Sequence, residues 1–432
     1  MENTDEVQEG IDTGLEEKTW FKTVDKKYSV KEGEYLFNGK KFVEDEGPLS
    51  NPAPEENRVK FENGIRQEVS DFTHNHYDNV VVLLGAGASV VDNTWQEDEF
   101  GNARTGLTVN KIAEKISQVL SNDLSSTEDK ADESADELTL LSLREMSAQI
   151  NYPFELDKDS DLLPKNFNLE DFLSAAFAYS RFVNTAISEQ FNNTLKEILS
   201  IIIRSTSYDY NSKDFNHIAF LNAVSDLVSE ETKLNVITTN YDTLIEDAAE
   251  TMNWTIFDGF SFSRNPRFDS TMFDWSLTKK VPYVKTSEMV YKRHVLNLIK
   301  IHGSINWEKS ESGDIMRKAK KGGDKPVLVF PSSNKYAQTY EEPYFDLFAK
   351  FQNLLKEPNT LLITAGFSFA DNHISRIIES NVRTNESFGL LVTDFSIEAN
   401  NDNWNNLEQL MHERYRIAFR SRHYDWSRKC LK

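Results

Sequence analysis

Short apolar runs recur along the chain, and each closes on glycine or small polar residues. They lie in VVVLLGAGASV (80–90), LNVITTNYD (234–242), VLNLIKIHGSINW (295–307), KPVLVFPSS (325–333), NTLLITAGFSFADNHISRIIESNV (359–382) and SFGLLVTDFS (387–396). Runs that stay apolar, without alternating, predict strands buried on both faces, as in a parallel sheet. Between them the spacing turns helical. Leu107, Ile112, Ile116 and Leu120 mark a helix over 107–120, residues 166–205 read as one or two helices, and 214–230, 243–252, 344–357 and 403–415 read as helices too. Strands alternating with helices predict an α/β fold: a mostly parallel sheet with helices on both faces, a helical insertion and a small N-terminal appendage.

The same pattern divides the chain. Residues 1–70 form the appendage, and YSVKEGEYLFNGKKFVE (28–44) alternates around Asn38-Gly39, which predicts a hairpin. EDEGPLSNPAPEEN (44–57) reads as a linker. Residues 71–432 are expected to be one α/β domain, with 105–232 a helical insertion inside it. SNDLSSTEDKADESADEL (121–138) reads as a mobile acidic loop leading into a helix.

Composition narrows the function classes. With 432 residues, 39% of them hydrophobic, the chain can bury a sizeable core. A formal charge of −22 repels nucleic-acid backbones and anionic membranes, so no direct nucleic-acid binding is expected of this chain. No apolar run is long enough to span a bilayer, and the opening MENTDEVQEG is unlike a signal peptide, so a soluble cytoplasmic protein is expected. The single cysteine, Cys430, allows no internal disulfide and no cysteine-based zinc site, and no metal site is expected.

Four clusters follow apolar strands, at the edge where open α/β sheets bind ligands. Gly85-Ala86-Gly87-Ala88-Ser89 would let a phosphate approach the backbone and reach N–H groups at a following helix start, or it is only a tight turn. It lacks the third glycine of G-x-G-x-x-G, which Val90 replaces. In Thr238-Thr239-Asn240-Tyr241-Asp242, Asn240 can meet ribose hydroxyls or a water, while Asp242 can cap the next helix. In Lys300-Ile301-His302-Gly303-Ser304, His302 can serve as a base or as a structural residue. ITAGFSFADNHI (363–374) is a second glycine turn with Gly366 and Ser368, followed by Asp371 as a helix cap.

G-A-G-A-S, T-x-N-Y-D, H-G and G-F-S, in this order and each after a strand, resemble the sirtuin (Sir2) superfamily, as does NLEDFLS (168–174). The resemblance spans about residues 79 to 395 and implies NAD+ as ligand in a Rossmann-like, mostly parallel α/β domain. By position, Gly85, Ala86, Gly87 and Ser89 would line the pyrophosphate and nearby ribose, Asn240 and Asp242 the nicotinamide ribose and carboxamide, and Gly366 and Ser368 the adenosine half. His302 would be the catalytic histidine, Asn240 its partner in catalysis, and Asp394 a holder of the adenine ribose.

Protein-deacylating sirtuins carry a four-cysteine zinc module that this chain lacks, and bacterial defence proteins of this pattern are NAD+ hydrolases. The resemblance therefore implies an anti-phage NAD+ hydrolase, most like the Sir2 subunit of Sir2–HerA two-gene systems. NAD+ would be the substrate, and no metal would be needed. The chain ends about forty residues past the last motif, so trigger sensing is expected from a partner: a HerA-type hexameric ATPase engaging a Sir2 homo-oligomer. An NAD+- or ADP-ribose-binding regulatory subunit, a nuclease subunit and a protein deacylase are the competing expectations.

Overall fold

The structure is a computed structural model that describes residues 17–42, 54–75, 77–91, 96–98, 101–126, 140–154, 163–164, 167–180, 182–281, 289–319, 326–328, 342–397 and 401–421. Its centre is an eleven-stranded sheet. Seven strands run parallel, in the order β16 (Ile417–Ser421), β15 (Gly389–Asp394), β14 (Thr360–Ala365), β5 (Asn79–Leu84), β6 (Leu234–Thr238), β10 (Val295–Lys300) and β7 (Thr255–Phe257). The α/β expectation holds: a large, mostly parallel sheet carries helices on both faces.

Burial explains why the runs stay apolar. On one face Val81, Leu83, Ile237 and Ile299 pack with α8 (Tyr344–Lys356), α9 (Asn372–Thr384) and α10 (Asn405–His412). On the other, Val80, Val82, Leu84, Val236 and Leu298 pack with α1 (Pro54–Thr73), α6 (His217–Ser225) and α7 (Leu244–Thr251). Both positions of the strand period are therefore covered. A third core belongs to the helices between β5 and β6: α2 (Val109–Ser126), α3 (Leu143–Gln149), α4 (Leu169–Ser180) and α5 (Ser188–Thr206). Among the described residues no helix is long and apolar enough to cross a membrane.

Residues 18–41 extend the sheet. β1 (Lys18–Lys22) pairs antiparallel with β16, followed outward by β2 (Lys27–Lys31), β3 (Glu34–Phe37) and β4 (Lys40–Lys41). Asn38-Gly39 does form a two-residue turn with both φ angles positive, and Glu32-Gly33 forms a second. The first helix starts at Pro54, so residues 54–57 are not linker; 44–53 lie outside the described residues. Phe61 of α1 is fully buried, with its ring 4.9–5.7 Å from those of Trp20, Tyr28, Tyr35 and Phe42, which seals the added strands to the helix.

Other boundaries differ for local reasons. The helix read over 107–120 runs from Val109 to Ser126, taking in the start of the expected acidic loop, whose remainder lies outside the described residues. The 214–230 helix is confined to His217–Ser225, and the 403–415 helix to Asn405–His412. The 295–307 run breaks at Gly303, where φ of +83° turns the chain out of the main sheet into β11 (Gly303–Lys309). β11 pairs with β12 (Ile315–Arg317) and with β13 (Pro326–Leu328), the described part of the expected 325–333 strand. A separate ribbon is formed by β8 (Thr278–Lys280) and β9 (Met289–Tyr291).

Phe61→Ala removes the ring on which four aromatic neighbours close. It is expected to cost about 3–5 kcal/mol, read as a lower urea midpoint, with the loss concentrated in hydrogen-exchange protection of residues 18–42.

Candidate functional site

Strand register assembles the site. Lys300 pairs with Thr238, Thr238 with Leu84, Leu84 with Ala365 and Ala365 with Thr393. The C-terminal ends of five strands thus stand in one row, and the four polar or glycine clusters begin in that row or one residue beyond it. Segments separated by up to hundreds of residues share one rim.

At the centre of that rim two glycine turns touch. Gly85 N–H donates to the Ala365 carbonyl (3.1 Å) and Gly87 N–H to the Gly366 carbonyl (2.9 Å). A Cβ on Gly85 would lie 2.5 Å from the Gly366 oxygen, and one on Gly366 (φ +61°) 2.3 Å from the Ala88 nitrogen. The glycines are thus explained first by backbone meeting backbone. The first turn also departs from expectation at its far end. It makes one 3-10 turn, Ala86–Ala88, and α2 starts only at Val109, so no helix N-terminus follows it directly. Ala88 N–H and Ser89 N–H donate back to Gly85 and Ala86, which leaves four amides of this turn paired within the protein.

The Thr238–Asp242 segment locks onto this turn. Thr239 N–H and the Thr238 hydroxyl both donate to the Leu84 carbonyl, each at 3.1 Å. Asn240 Nδ2 donates to the Gly85 carbonyl (2.9 Å) and to Ser89 Oγ (3.0 Å). Both amide hydrogens are thereby placed, and Oδ1 is the group Asn240 can offer to a ligand or water. Ser89 Oγ in turn donates to Asp242 Oδ2 (2.7 Å), which also accepts from the Tyr208 hydroxyl (2.9 Å). Asp242 Oδ1 accepts Leu244 N–H (3.1 Å) as in an Asx turn, but the N-cap position of α7 falls on Thr243, one residue after the expected cap. Its buried carboxylate binds three protein donors, an organising role. Burial, and then the neighbouring Asp242 charge, push the Tyr208 phenol well above its ordinary pKa and keep it a donor.

His302 sits in the turn between β10 and β11, almost fully buried, with Nε2 3.4 Å from Asp371 Oδ2. Asp371 caps α9 as expected, its Oδ1 accepting His373 N–H (2.9 Å) and Ile374 N–H (3.4 Å), while its other oxygen faces the imidazole. Behind the rim, Lys300 is 1% exposed and pairs with Glu246 at 2.9 Å. Burial raises the Glu246 pKa against the pull of Lys300.

A cavity of about 640 Å³ opens over this rim. Of the expected site residues, Ala86, Gly87, Ser89, Asn240, Asp242, His302, Gly366, Ser368 and Asp394 line it. Gly85 stands just behind, offering its carbonyl to Asn240. Asp371 and Tyr208 also line it and had been missed as site residues: Asp371 reads as a cap, and Tyr208 follows α5 with no motif around it. The helical layer closes one side through Val109, Ile112, Phe167 and Ile202. Among the described lining residues there are three carboxylates and no lysine or arginine. No group of three or more His, Cys, Asp or Glu among the described residues is placed to hold a metal ion.

The order and placement of these clusters can be set beside known proteins. Residues 234–415 match the SIR2-like domain family. The SIR2-like match contains Asn240, Asp242, His302, Gly366, Ser368, Asp371 and Asp394, and the Gly85–Ser89 turn reaches that domain only through the fold. No curated protein matches the chain. Solved structures similar to it include one described as "Sir2-p53 peptide-NAD+" (13% identity, TM-score 0.33, covering 80% of this chain and 95% of that one). Another, "Structural Basis for the Mechanism and Regulation of Sir2 Enzymes", has 10% identity and a TM-score of 0.29, covering 82% and 97%. A third, "Sir2 bound to acetylated peptide", has 12% identity and a TM-score of 0.31, covering 80% and 94%.

Gly366→Ala forces a methyl into the Gly87–Ala88 backbone at positive φ. A loss of several kcal/mol is expected, or a folded chain whose cavity no longer binds ligand. Gly313→Ala, also at positive φ (+93°) but with nothing within 4 Å of its Cβ, is the control, and its smaller loss in thermal melts isolates the steric part.

Proposed function

We propose that this chain is an NAD+ hydrolase that cleaves NAD+ to nicotinamide and ADP-ribose. The observation that carries the reading is that Asn240 and His302, from separate loops, line one cavity together with both glycine turns. The match of residues 234–415 to a SIR2-like domain supports NAD+ as the nucleotide. In the reaction the C1′–N bond breaks and its electron pair leaves with nicotinamide, which departs neutral. Water oxygen bonds to C1′ of an oxocarbenium-like centre. The water proton passes to His302, either directly or through a ribose hydroxyl, and Asp371 stands beside the imidazolium that forms. Asn240 Oδ1 accepts from that water or from the ribose. Gly366, Ser368 and Asp394 lie toward the adenosine half, with Ala86 and Gly87 near the pyrophosphate. The carboxylates around the cavity favour the cationic nicotinamide ring of NAD+.

The biological setting belongs to the same proposal. The chain acts in the cytoplasm as a homo-oligomer, its activity gated by a HerA-type hexameric ATPase, and depletes NAD+ during phage infection. Its −22 charge supports leaving nucleic acid to the partner. A second reading, an NAD+- or ADP-ribose-binding regulatory subunit without turnover, draws on the commitment of both Asn240 amide hydrogens within the protein.

Nicotinamide release by the purified chain, alone and with the ATPase, separates the two. The hydrolase reading expects one nicotinamide per ADP-ribose, and a fall on the order of 100-fold or more in Asn240→Ala and in His302→Ala with the fold retained. Saturable NAD+ binding with no release under either condition would favour the regulatory subunit. Because Asp394 lines the cavity and no lysine or arginine does among the described residues, NAD+ should be preferred over NADP+ by at least about tenfold. Asp394→Asn should narrow that preference in competition assays.

A further inference from the structure

The loop that carries Asn240 has carbonyls aimed away from the cavity, into the protein. Buried carbonyls need donors. That of Tyr241 accepts from Ile305 N–H (3.1 Å), Ser304 Oγ (3.3 Å) and Lys300 Nζ (3.5 Å). That of Asp242 accepts from Lys300 Nζ at close range. Together with Glu246 Oε1 at 2.9 Å, three acceptors surround one ammonium that has three hydrogens to give. Lys300 does not line the cavity. It is the last residue of β10, two before His302, and Glu246 lies in the first turn of α7, which follows the Asn240 loop.

An apolar side chain of similar length would fill this space without burying a charge, and a buried ion pair is weak support for stability alone. What the ammonium adds is direction. It ties the backbone of the Asn240 loop and the first turn of α7 to the strand end from which His302 emerges. We propose that Lys300, braced by Glu246, is a positioning residue that sets the separation of Asn240 and His302 across the cavity. The proposal rests on the NAD+ hydrolase reading for its effect on turnover, but the clamp itself can be tested without it.

The experiment compares Lys300→Met, Lys300→Arg and the double variant Lys300→Met with Glu246→Gln, which leaves no unpaired carboxylate behind. Thermal melts establish folding. Isothermal titration gives the NAD+ Kd, nicotinamide release with the partner present gives kcat, and hydrogen exchange reports residues 239–244. In the folded double variant the clamp predicts a kcat lower on the order of 100-fold, because small misplacements of reacting groups cost that much, with Kd within about threefold. It predicts faster exchange at 239–244 against unchanged exchange in β14 and β15, and only partial rescue by arginine. A double variant that recovers stability and turnover together would overturn the proposal, as would unaltered exchange at 239–244. If the parent chain releases no nicotinamide under any condition, the hydrolase reading fails, and the exchange result still decides whether Lys300 holds the loop.

Discussion

Two turns without side chains, pressed backbone to backbone, set where everything else on the rim can stand. Gly85 and Gly87 donate their amides to the Ala365 and Gly366 carbonyls, and a methyl group at Gly85 or Gly366 would come within 2.5 Å of the opposing backbone. This contact lets β5 and β14 end level, and it turns the Gly85 carbonyl toward Asn240. From there the Asn240 amide fixes the second loop to the first, and Asp371, capping the helix after the second glycine turn, stands against His302. Four segments are thus positioned relative to one another by short polar contacts in a chain of dependence that starts at the glycines.

Charge is handled in two layers. Toward the cavity, Asp242 is buried but saturated: Ser89, Tyr208 and the Leu244 amide supply donors to both its oxygens, so the carboxylate costs little and joins the first glycine turn, the segment after α5 and the start of α7. Behind the cavity, the Lys300–Glu246 pair holds the backbone of the same loop. Such networks stay rigid only when every member is satisfied. Rigidity here serves the placement of an amide oxygen and an imidazole on the wall of one cavity.

Much of the fold was legible because parallel strands covered on both faces leave unbroken apolar runs; Asn79–Leu84, Leu234–Thr238, Val295–Lys300, Thr360–Ala365 and Gly389–Asp394 all stand where such runs predicted strands. The elements that escaped have diluted patterns. Among its described residues the first helix buries just three apolar side chains, Phe61, Ile65 and Val69, along a polar sequence, and the strand Ile417–Ser421 carries Arg420 near its end. In the site, the clusters after strands were visible, but not what their atoms bind. The first glycine turn reads either as an amide cradle or as a tight turn, and four of its amides pair within the protein. Tyr208 is joined to Asp242 across 34 residues by a single hydrogen bond, which no local spacing encodes. Asp371 was visible as a cap because that use is local, whereas its approach to His302 depends on sheet register.

The central claim is that the glycosidic carbon of NAD+ lies between Asn240 and His302. A crystal structure of the folded His302→Ala chain with NAD+ tests it most directly. The account predicts the nicotinamide ribose beside the Asn240 side chain, with the adenosine half running past Gly366 toward Asp394. NAD+ bound with its nicotinamide end away from Asn240, or a cavity that stays empty at saturating NAD+, would contradict it.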